Sequence, residues 1–593
     1  MNRAPEYDQG GGKTLKIVSI VCLVLLIALL VFTVVGRRIA TERVEEQLIQ
    51  AEAMAKMEQQ IADEKANGEP EPQAPEDTSD TQATAETIDF TPHCTDATHP
   101  DCLVKATAVQ VNGETVENYQ ASEKIRFDIG SNYTQTGGIV TFRGNNFRDG
   151  ASGGKTTIKE KKFGETWTMA TASLQAPDGA VWTGHGWTGQ PLVMPWPKDV
   201  RQHMTNMKDW AKQQDELTEV IYAGMDGYVY FAELSTGKAT RDRLNLGLTF
   251  KGSGALDPRG YPLLYVGAGY DGSKSSRAMI VSLLDGSILY EFGYNDSFAL
   301  RAWYMYDGSP LVDADTDQLI WPGEDGVLYI MKLNTNYDKD AGTISIEPTT
   351  TKWRYNGVRT GTSYWLGMED SAVIWQGHII MADNGGILMC LDLDTLKLDW
   401  VQDTLDDTNC SPVLELEDGH PYVYISTSFH GGWRTSGATA PIPVWKIDAE
   451  TGEVVWRVDY DCYTVSGVSG GVQGTIAVGK NNVSDLVFVP VARTGSGSAG
   501  KLVALDKATG ETVWCFDTQM YSWSSPTLFY DEDGNGYIIY CTSGGYMYLL
   551  DAKTGTQLDA KDLGGNMEAS PIVYDNTVVI GTRAQQIWGV TLK

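Results

Sequence analysis

Aromatic and basic side chains recur in five loop-like segments of this 593-residue chain, at 184–191, 301–310, 362–370, 429–434 and 520–526. A concave surface that combines aromatic rings with arginine is typical of a recognition site. We therefore predict a binding mouth for a protein or glycan partner. Its residues are His185, Trp187, Arg301, Trp303, Tyr304, Trp365, His430, Trp433, Arg434 and Trp523. The alternative is that several of these tryptophans pack between structural units.

Two acidic loops place oxygen-bearing side chains at alternate positions. The candidate ligands are Asp313, Asp315 and Asp317 in one loop, and Asp531, Asp533 and Asn535 in the other. Alternate oxygens can converge on Ca²⁺ at about 2.3–2.6 Å if the loop curls. Asp, Asn and Gly are also favoured in tight turns, and neither loop has a glutamate at the twelfth position. We expect turns, with weak Ca²⁺ binding as the alternative.

Cys94 and Cys102 lie eight positions apart before the main body of the chain. In an oxidising compartment such a pair forms a local disulfide, which we predict here. His93, Asp96 and His99 share the segment, so a metal site is the alternative, although the spacing matches no standard zinc pattern.

No set of residues typical of nucleophilic catalysis is apparent, since the seven histidines are scattered without pattern. Asn566 and Glu568 precede an apolar segment. We expect Glu568 to line a polar channel at the binding mouth, and a metal-binding role is the alternative.

A repeat supplies the elements that position these residues. The segments 444–458 and 502–516 each contain an apolar strand ending in Asp, a Thr-Gly turn and a second strand bearing Trp. Gly suits the turn because the backbone needs a positive φ there. Weaker copies occur at 229–239, 279–292, 388–401 and 547–558. Before each copy come a hairpin turn on Asp-Gly, Asn-Gly or Gly-Gly and a further strand, often starting with Ser-Pro.

Four strands per unit, repeated every 45 to 58 residues, predict propeller blades. Seven units lie between 190 and 562, and 570–592 supplies three further strands. Residues 162–170 can provide the missing fourth strand and close the ring, which removes exposed sheet edges. The sequence therefore predicts an all-β fold, an eight-bladed β-propeller of four-stranded antiparallel blades, with seven blades as the alternative.

The turns AETGEVVW (449–456) and DKATGETVW (506–514) resemble the tryptophan-docking repeats of PQQ-binding-like, or quinoprotein dehydrogenase-like, β-propellers. TFRGNNFRDG (141–150) is similar to the segment that leads into such propellers. The resemblance covers about residues 140–593. It implies that Trp400, Trp456 and Trp514 pack between neighbouring blades.

This family includes calcium- and quinone-dependent alcohol dehydrogenases as well as non-catalytic scaffolds. The resemblance implies a Glu, an Asn and an Asp around Ca²⁺, a catalytic Asp and, typically, an adjacent Cys-Cys pair, which this chain lacks. Those Ca²⁺ and catalytic positions cannot be assigned from the sequence. We therefore expect a non-catalytic binding scaffold with no cofactor, Ca²⁺ remaining open. The alternative is an exported oxidoreductase that depends on PQQ and Ca²⁺.

The N-terminal region predicts membrane attachment. Residues 17–36 carry no charge and, as a helix, would span the ~30 Å hydrocarbon layer. A cleaved signal peptide is the alternative, but Arg37 and Arg38 follow instead of a cleavage site. Residues 1–16 would be a cytoplasmic leader, placed inside because they are too few to form a domain. The remainder would then be extracytoplasmic on a single-pass protein of the cell membrane.

Three connecting segments precede the propeller. Residues 37–66 predict a helical stalk, with weak self-association through its apolar stripe as the alternative. Residues 67–90 form a disordered acidic linker, and 91–139 a small β lead-in that bears the predicted disulfide; the propeller occupies 140–593. The net charge of -31 argues against a nucleic-acid partner, because phosphates need Lys and Arg.

Overall fold

The structure is a computed structural model that describes residues 90–177, 179–269, 275–359, 363–429, 438–464 and 469–593. The predicted leader, membrane span, stalk and nearly all of the linker lie outside these residues. Within the described ranges, no helix is long and apolar enough to cross a membrane.

Eight sheets, each built on four antiparallel strands, form the propeller, and we number these blades 1 to 8 along the chain. Blade 1 comprises Leu192–Pro195, Thr218–Ala223, Tyr228–Glu233 and Leu244–Asn245. Blade 2 comprises Ala255–Leu256, Leu263–Gly267, Ala278–Ser282 and Ile288–Phe292. Blade 3 comprises Leu311–Asp313, Gln318–Pro322, Val327–Lys332 and Thr349–Gly357. Blade 4 comprises Val373–Trp375, His378–Ala382, Ile387–Asp392 and Lys397–Asp403.

The second half of the ring repeats this pattern. Blade 5 comprises Val413–Glu417, His420–Ser426, Thr439–Asp448 and Val454–Tyr463. Blade 6 comprises Ala477–Val478, Leu486–Ala492, Gly500–Asp506 and Thr512–Thr518, with Ser428–Phe429 and Gly470–Gly471 added. Blade 7 comprises Thr527–Tyr530, Gly536–Cys541, Tyr546–Asp551 and Gln557–Asp562. Blade 8 comprises Ile572–Tyr574, Thr577–Thr582, Gln586–Leu592 and, from the other end of the propeller, Phe163–Ala170.

Blade 8 closes the ring as the repeat predicts. Phe163–Ala170 pairs antiparallel with Gln586–Leu592, with Trp167 opposite Gly589. Ser152–Gly153 adds a parallel strand beside Ile572–Tyr574. The eight-bladed prediction is confirmed, and the ring is closed by strands from its two chain ends.

The remaining elements decorate the ring. Within the lead-in, Val104–Val111 and Glu114–Val116 join the outer edge of blade 3. Two helices, Lys198–His203 and Asp209–Gln213, lie between the first two strands of blade 1. Ser173–Gln175 pairs with Val181–Thr183, and Asn336–Asp338 pairs with Thr343–Ser345. Short 3-10 turns occupy Pro100–Cys102, Gly130–Asn132, Ser363–Trp365 and Asn481–Val483.

Tryptophans on the outer strands of four blades dock on the Thr-Gly turn of the next blade. The indole Nε1 of Trp400 donates to Ala449 O (2.8 Å), that of Trp456 to Lys507 O (2.8 Å) and that of Trp514 to Ala552 O (3.2 Å). Trp167 of blade 8 does the same toward Leu234 O of blade 1 (2.9 Å). We call these four residues the docking tryptophans. Ring closure thus uses the same contact as the joints between blades 4, 5, 6 and 7.

One segment before the ring, residues 139–151, contacts all eight blades, and we call it the hub segment. Its main chain bonds to Val193, Leu256, Ile374, Leu414 and Val573 of blades 1, 2, 4, 5 and 8. Arg148 donates to Ser309 O before blade 3 (2.8 Å), and Arg143 to Pro526 O before blade 7 (2.9 Å). Asp149 pairs with Lys480 of blade 6 (2.7 Å).

A belt of serine hydroxyls links the starts of the innermost strands. Ser371 Oγ accepts from Ser309 N (2.8 Å), and Ser411 Oγ accepts from Ser371 N (2.9 Å). Ser525 and Ser570 continue the pattern with 2.9 and 3.0 Å bonds. The Ser-Pro starts seen in the sequence therefore join neighbouring blades around the axis.

Candidate functional site

A cavity of about 180 Å³ lies where loops from seven blades converge, which places it on the axis of the ring. We call it the axial cavity. Its lining residues are Trp187, Lys251, Arg301, Trp303, Met305, Asp307, Glu324, Trp365, Glu369, Asn384, Asp407, Asn409, Ser469, Gln473 and Trp523. A smaller adjoining space reaches Phe142 of the hub segment, so that segment lies beneath the cavity.

Five of the predicted mouth residues line this cavity: Trp187, Arg301, Trp303, Trp365 and Trp523. Trp187 and Trp523 meet edge to face, with ring centroids 5.5 Å apart. Trp523 Nε1 is buried and has no hydrogen-bond acceptor among the residues that the structure describes. The aromatic walls therefore leave a buried donor near the cavity.

Other predicted mouth residues lie elsewhere. His185 is buried with its ring 3.9 Å from that of Tyr222, and burial lowers its pKa to about 3, so it is neutral. Tyr304 packs against Tyr294. Glu568 pairs with Arg583 at 3.3 Å, beside the loop that carries Trp187. His430, Trp433 and Arg434 lie outside the described residues.

Three carboxylates meet in the cavity. One oxygen from each of Asp307, Glu324 and Glu369 lies within 4.8 Å of the others. Glu324 Oε2 accepts from Trp303 Nε1 (3.0 Å), and Glu369 Oε1 accepts from Trp187 Nε1 (3.2 Å). The second oxygen of Glu324 and Oδ1 of Asp307 are buried without a hydrogen-bond partner in the described part of the chain. Buried oxygens of this kind call for a proton or a cation.

Burial and like charge shift the ionisation of this carboxylate cluster. Burial raises the pKa of Asp307 to about 7, with Glu369 adding repulsion and Lys251 opposing both. Burial, followed by the charges of Glu369 and Asp307, raises the pKa of Glu324 well above its usual value. The pKa of Glu369 is also raised, mainly by burial. Desolvated carboxylates with raised pKa values in a cavity are a signature of a functional site.

Two cationic side chains and the amide of Asn384 also line the cavity. Lys251 Nζ lies 4.3 Å from the centre of the Trp187 ring. Arg301 Nη1 donates to Asn384 Oδ1 (2.6 Å), and Asn384 Nδ2 donates to Glu369 Oε2 (3.0 Å). Gly367 makes room for this arrangement, because a Cβ there would clash with the Arg301 guanidinium. Asn384 thus lies between the Arg301 guanidinium and the Glu369 carboxylate.

Four residues of the cavity were not predicted from the sequence: Asp307, Glu324, Glu369 and Lys251. Asp307 and Glu369 lie in the aromatic segments 301–310 and 362–370, but the four residues come from separate loops, so no single motif contains them. One signal was available for Glu324, which occupies in the blade 3 hairpin the position that Met225 holds in blade 1 and Asn384 in blade 4. Glu324 and Asn384 both line the cavity, so a polar residue at this position indicates the axis.

The acidic loops form hydrogen-bonded turns. Asp531 Oδ1 accepts from Asp533 N (3.1 Å) and Asn535 N (2.9 Å). Asp313 Oδ1 accepts from Asp315 N (3.1 Å), and Asp317 pairs with Arg259 at 2.7 Å. The oxygens of Asp313, Asp317 and Asp531 are therefore engaged by the protein itself.

Cys94 and Cys102 are free thiols in the structure, so the predicted disulfide is not formed. Cys94 packs instead against the apolar residues between blades 4 and 5. Cys102 is exposed, with its thiol 3.9 Å from Asp96 O. The short segment between them is held by a different device, in which Thr98 Oγ1 donates to Thr451 O of the blade 5 turn (2.7 Å).

Two kinds of known protein are similar to this chain in sequence. Residues 443–532 and 498–593 match the family model described as outer membrane protein assembly factor BamB. The dehydrogenase subunit of alcohol dehydrogenase (quinone) from Gluconacetobacter polyoxogenes is 26% identical over 332 residues, covering 44% of this chain and 41% of that protein. BamB from Kangiella koreensis is 26% identical over 220 residues, covering 36% and 48%. The chain therefore spans less than half the length of these curated relatives.

Solved structures support the fold. Quinohemoprotein alcohol dehydrogenase from Pseudomonas putida HK5 superposes with a TM-score of 0.51 over 80% of this chain and 83% of that one, at 12% identity. The enzyme from Comamonas testosteroni gives 0.51 over 78% and 81%, at 13% identity. These similarities and the repeats agree on a PQQ-like β-propeller.

The comparisons correct one prediction. We expected no cofactor, and that expectation is wrong, because the curated relatives include dehydrogenase subunits whose name specifies a quinone. The absence of a Cys-Cys pair does not exclude a cofactor, because the fold gathers three carboxylates on the axis.

Proposed function

We propose that this chain is a quinone-dependent oxidoreductase that oxidises alcohols in its axial cavity. The observation that carries the proposal is a set of three carboxylates, two buried and one partly buried. One oxygen of each lies within 4.8 Å of the others, and four tryptophans line the same cavity. The names of the curated relatives supply the reaction class.

The carboxylate cluster fits a divalent cation. Asp307, Glu324 and Glu369 offer hard oxygen ligands, which Ca²⁺ prefers. One oxygen each of Asp307 and Glu324 has no hydrogen-bond partner among the described residues and is therefore available to a cation. A cation would relieve the like-charge repulsion that raises the pKa values of the cluster. Asn384, which bonds to Glu369, would orient that ligand.

The tryptophan walls fit a flat, anionic quinone such as PQQ. Trp187, Trp303, Trp365 and Trp523 offer aromatic faces and edges, and Lys251 and Arg301 offer positive charge for carboxylates of the ligand. When bound, such a quinone accepts the two electrons released by alcohol oxidation. Asp307 would act here as a ligand of the cation, so its loss should weaken the loaded site.

Reconstitution of the purified full chain tests this proposal. We expect one PQQ per chain to bind in the presence of Ca²⁺, with reduction of an artificial dye on addition of a primary alcohol. Asp307→Asn should reduce dye turnover at least a hundredfold. Its matched control is Asp325→Asn, because Asp325 is also buried with a pKa near 7 but is engaged by Tyr329. Absence of stoichiometric quinone binding would sink the proposal.

A second candidate function, a scaffold for a protein partner, is favoured by the match of residues 443–593 to the assembly-factor model. Under it, the axial cavity would line part of a recognition surface. Affinity capture with the full chain separates the two candidates. A partner lost on substitution of Trp365, with no quinone binding, would support the scaffold.

We also propose that the propeller is held outside the cytoplasm by a single membrane span at residues 17–36. Its support is the uncharged run of twenty residues followed by Arg37 and Arg38. Protease treatment of intact cells tests this arrangement. Cleavage within 67–90 that releases the propeller is expected, and full protection of the chain would contradict it.

A further inference from the structure

Blade 4 contains a second cluster of metal-ligating side chains. Its donor groups differ from the carboxylates of the axial cavity. His378 Nδ1 lies 2.9 Å from Asp399 Oδ2, and Cys390 Sγ lies 3.7 Å from the same oxygen. All three ligand atoms fall within 4.8 Å of one another. Imidazole, thiolate and carboxylate together form a donor set that Zn²⁺ prefers.

The backbone of blade 4 brings these residues together. They come from its second, third and fourth strands, with Cys390 opposite Trp400. The register shifts between Cys390 and Leu391, which makes Asp399 the extra residue of a β-bulge. A bulge re-aims a side chain that regular alternation would send to the other face.

The other blades show what this position holds when it has only a structural role. Blades 2, 5, 6 and 7 have the same bulge, with the extra residue being Leu289, Val455, Val513 and Leu558 respectively. The residues equivalent to Cys390 are Ile280, Lys446, Ala504 and Leu549. Those equivalent to His378 are Leu263, Tyr422, Leu486 and Tyr537. Blade 4 thus departs from the other four at three positions at once, each time to a metal-ligating residue.

Burial at the cluster leaves one side open. Cys390 is fully buried, whereas the side chains of His378 and Asp399 are each 17% exposed. Phe90 covers the imidazole edge to face, with centroids 5.3 Å apart. A metal ion could therefore enter beside His378 and Asp399 and keep one water as its fourth ligand.

We propose that His378, Cys390 and Asp399 form a Zn²⁺-class metal site that clamps three strands of blade 4. Zn²⁺ holds N, S and O ligands at about 2.0–2.3 Å, which puts ligand atoms about 3.3–3.8 Å apart. The His378–Asp399 distance would have to lengthen slightly to reach this range, whereas the Cys390–Asp399 distance already lies within it. Binding releases the thiol proton of Cys390 to solvent, and the neutral imidazole of His378 binds through Nδ1 with its hydrogen on Nε2.

Cobalt titration of the chelator-treated full chain tests this site. Co²⁺ takes the same ligands and gives a thiolate-to-metal charge-transfer band, which a carboxylate site such as the axial cavity cannot produce. We expect one equivalent of Co²⁺ per chain with this band, and its loss on addition of Zn²⁺. The two proposals therefore fail separately.

Variants locate the ligands. Cys390→Ser should abolish the band, and Asp399→Val should weaken Co²⁺ binding at least tenfold. Valine already occupies the bulge in blades 5 and 6, so this variant is expected to fold. Cys541→Ser, at a buried thiol of blade 7, is the matched control and should leave the band unchanged. The proposal is overturned if the wild type gives no band, or if the band survives Asp399→Val at full affinity.

Discussion

Tryptophan serves two different purposes in this molecule. At the joints between blades, the docking tryptophans Trp167, Trp400, Trp456 and Trp514 donate to main-chain carbonyls of the next blade. In the axial cavity, Trp187 and Trp303 donate to carboxylates. A carboxylate acceptor is not by itself a mark of function, because Trp196 donates to Glu219 in the core of blade 1, where Arg241 neutralises the charge. What sets Trp187 and Trp303 apart is that their acceptors belong to the carboxylate cluster of the cavity.

The largest effect should come from a docking tryptophan. Trp400 is fully buried between blades 4 and 5, so Trp400→Ala should lower the free energy of unfolding by about 3–5 kcal/mol. Urea unfolding followed by circular dichroism measures this change. Gly452→Ala should act in the same direction, because its φ is 71° and its Cβ would lie 2.6 Å from the Trp400 ring. Equal stability of Trp400→Ala and wild type would refute the structural assignment.

The buried carboxylates of the cavity should make the free energy of unfolding depend on pH. Asp307 has a pKa of about 7 in the folded chain and an ordinary value of 3.8, so between these values the folded state holds a proton that the unfolded state has released. Stability therefore falls as pH rises from 4 to 7, by up to about 1.4 kcal/mol per unit for this group. Asp325 and Asp383 add slopes of the same sign. Asp307→Asn should reduce the dependence of the free energy of unfolding on pH, as measured by urea unfolding. Added Ca²⁺ should reduce this pH dependence in the wild type but not in the variant.

A cavity tryptophan should affect binding more than stability. Trp303→Phe keeps an aromatic ring but removes the donor to Glu324 (3.0 Å). We expect about tenfold weaker Ca²⁺ binding by calorimetry, equivalent to about 1.4 kcal/mol, with less than about 1 kcal/mol of lost stability. The opposite pattern, a stable affinity with a large loss of stability, would place Trp303 with the docking tryptophans.

The smallest effect should come from an acidic turn on the outside of the ring. Asp531→Asn keeps the acceptor Oδ1 that bonds Asp533 N and Asn535 N, so stability should change by at most about 0.5 kcal/mol. Thermal unfolding with Ca²⁺ and with a chelator should give the same difference between variant and wild type. A Ca²⁺-dependent difference would restore this loop as a cation site.

The architecture was predictable because most blades repeat the same short sequence motif. The Thr-Gly turns and terminal tryptophans predicted the blades, and residues 162–170 predicted the closing strand that pairs with Gln586–Leu592. Trp167 was missed as a docking residue, although the Glu-Thr before it matches the Glu-Thr before Val513 and Trp514.

The axial cavity was only half predictable. Aromatic loops indicated Trp187, Trp303 and Trp523, but His185, two residues from Trp187, faces the core instead. Asp307, Glu324 and Glu369 share no spacing, because the ring and not the local sequence brings them together. Side chains that meet at the axis from different blades show no regular spacing in the sequence.

The hub segment has a consequence for how the protein folds. Residues 139–151 are made before the blades, yet Arg143 bonds to Pro526 O and Ala151 O to Val573 N, more than 370 positions later. Such distant pairing gives a high contact order, and Arg143 lacks its Pro526 acceptor until the chain has reached blade 7. Unlike an open array of repeats, which can unravel from an end, this ring should open as one cooperative unit. Amide hydrogen exchange should therefore be slow, and similar in rate, in the innermost strands of all eight blades.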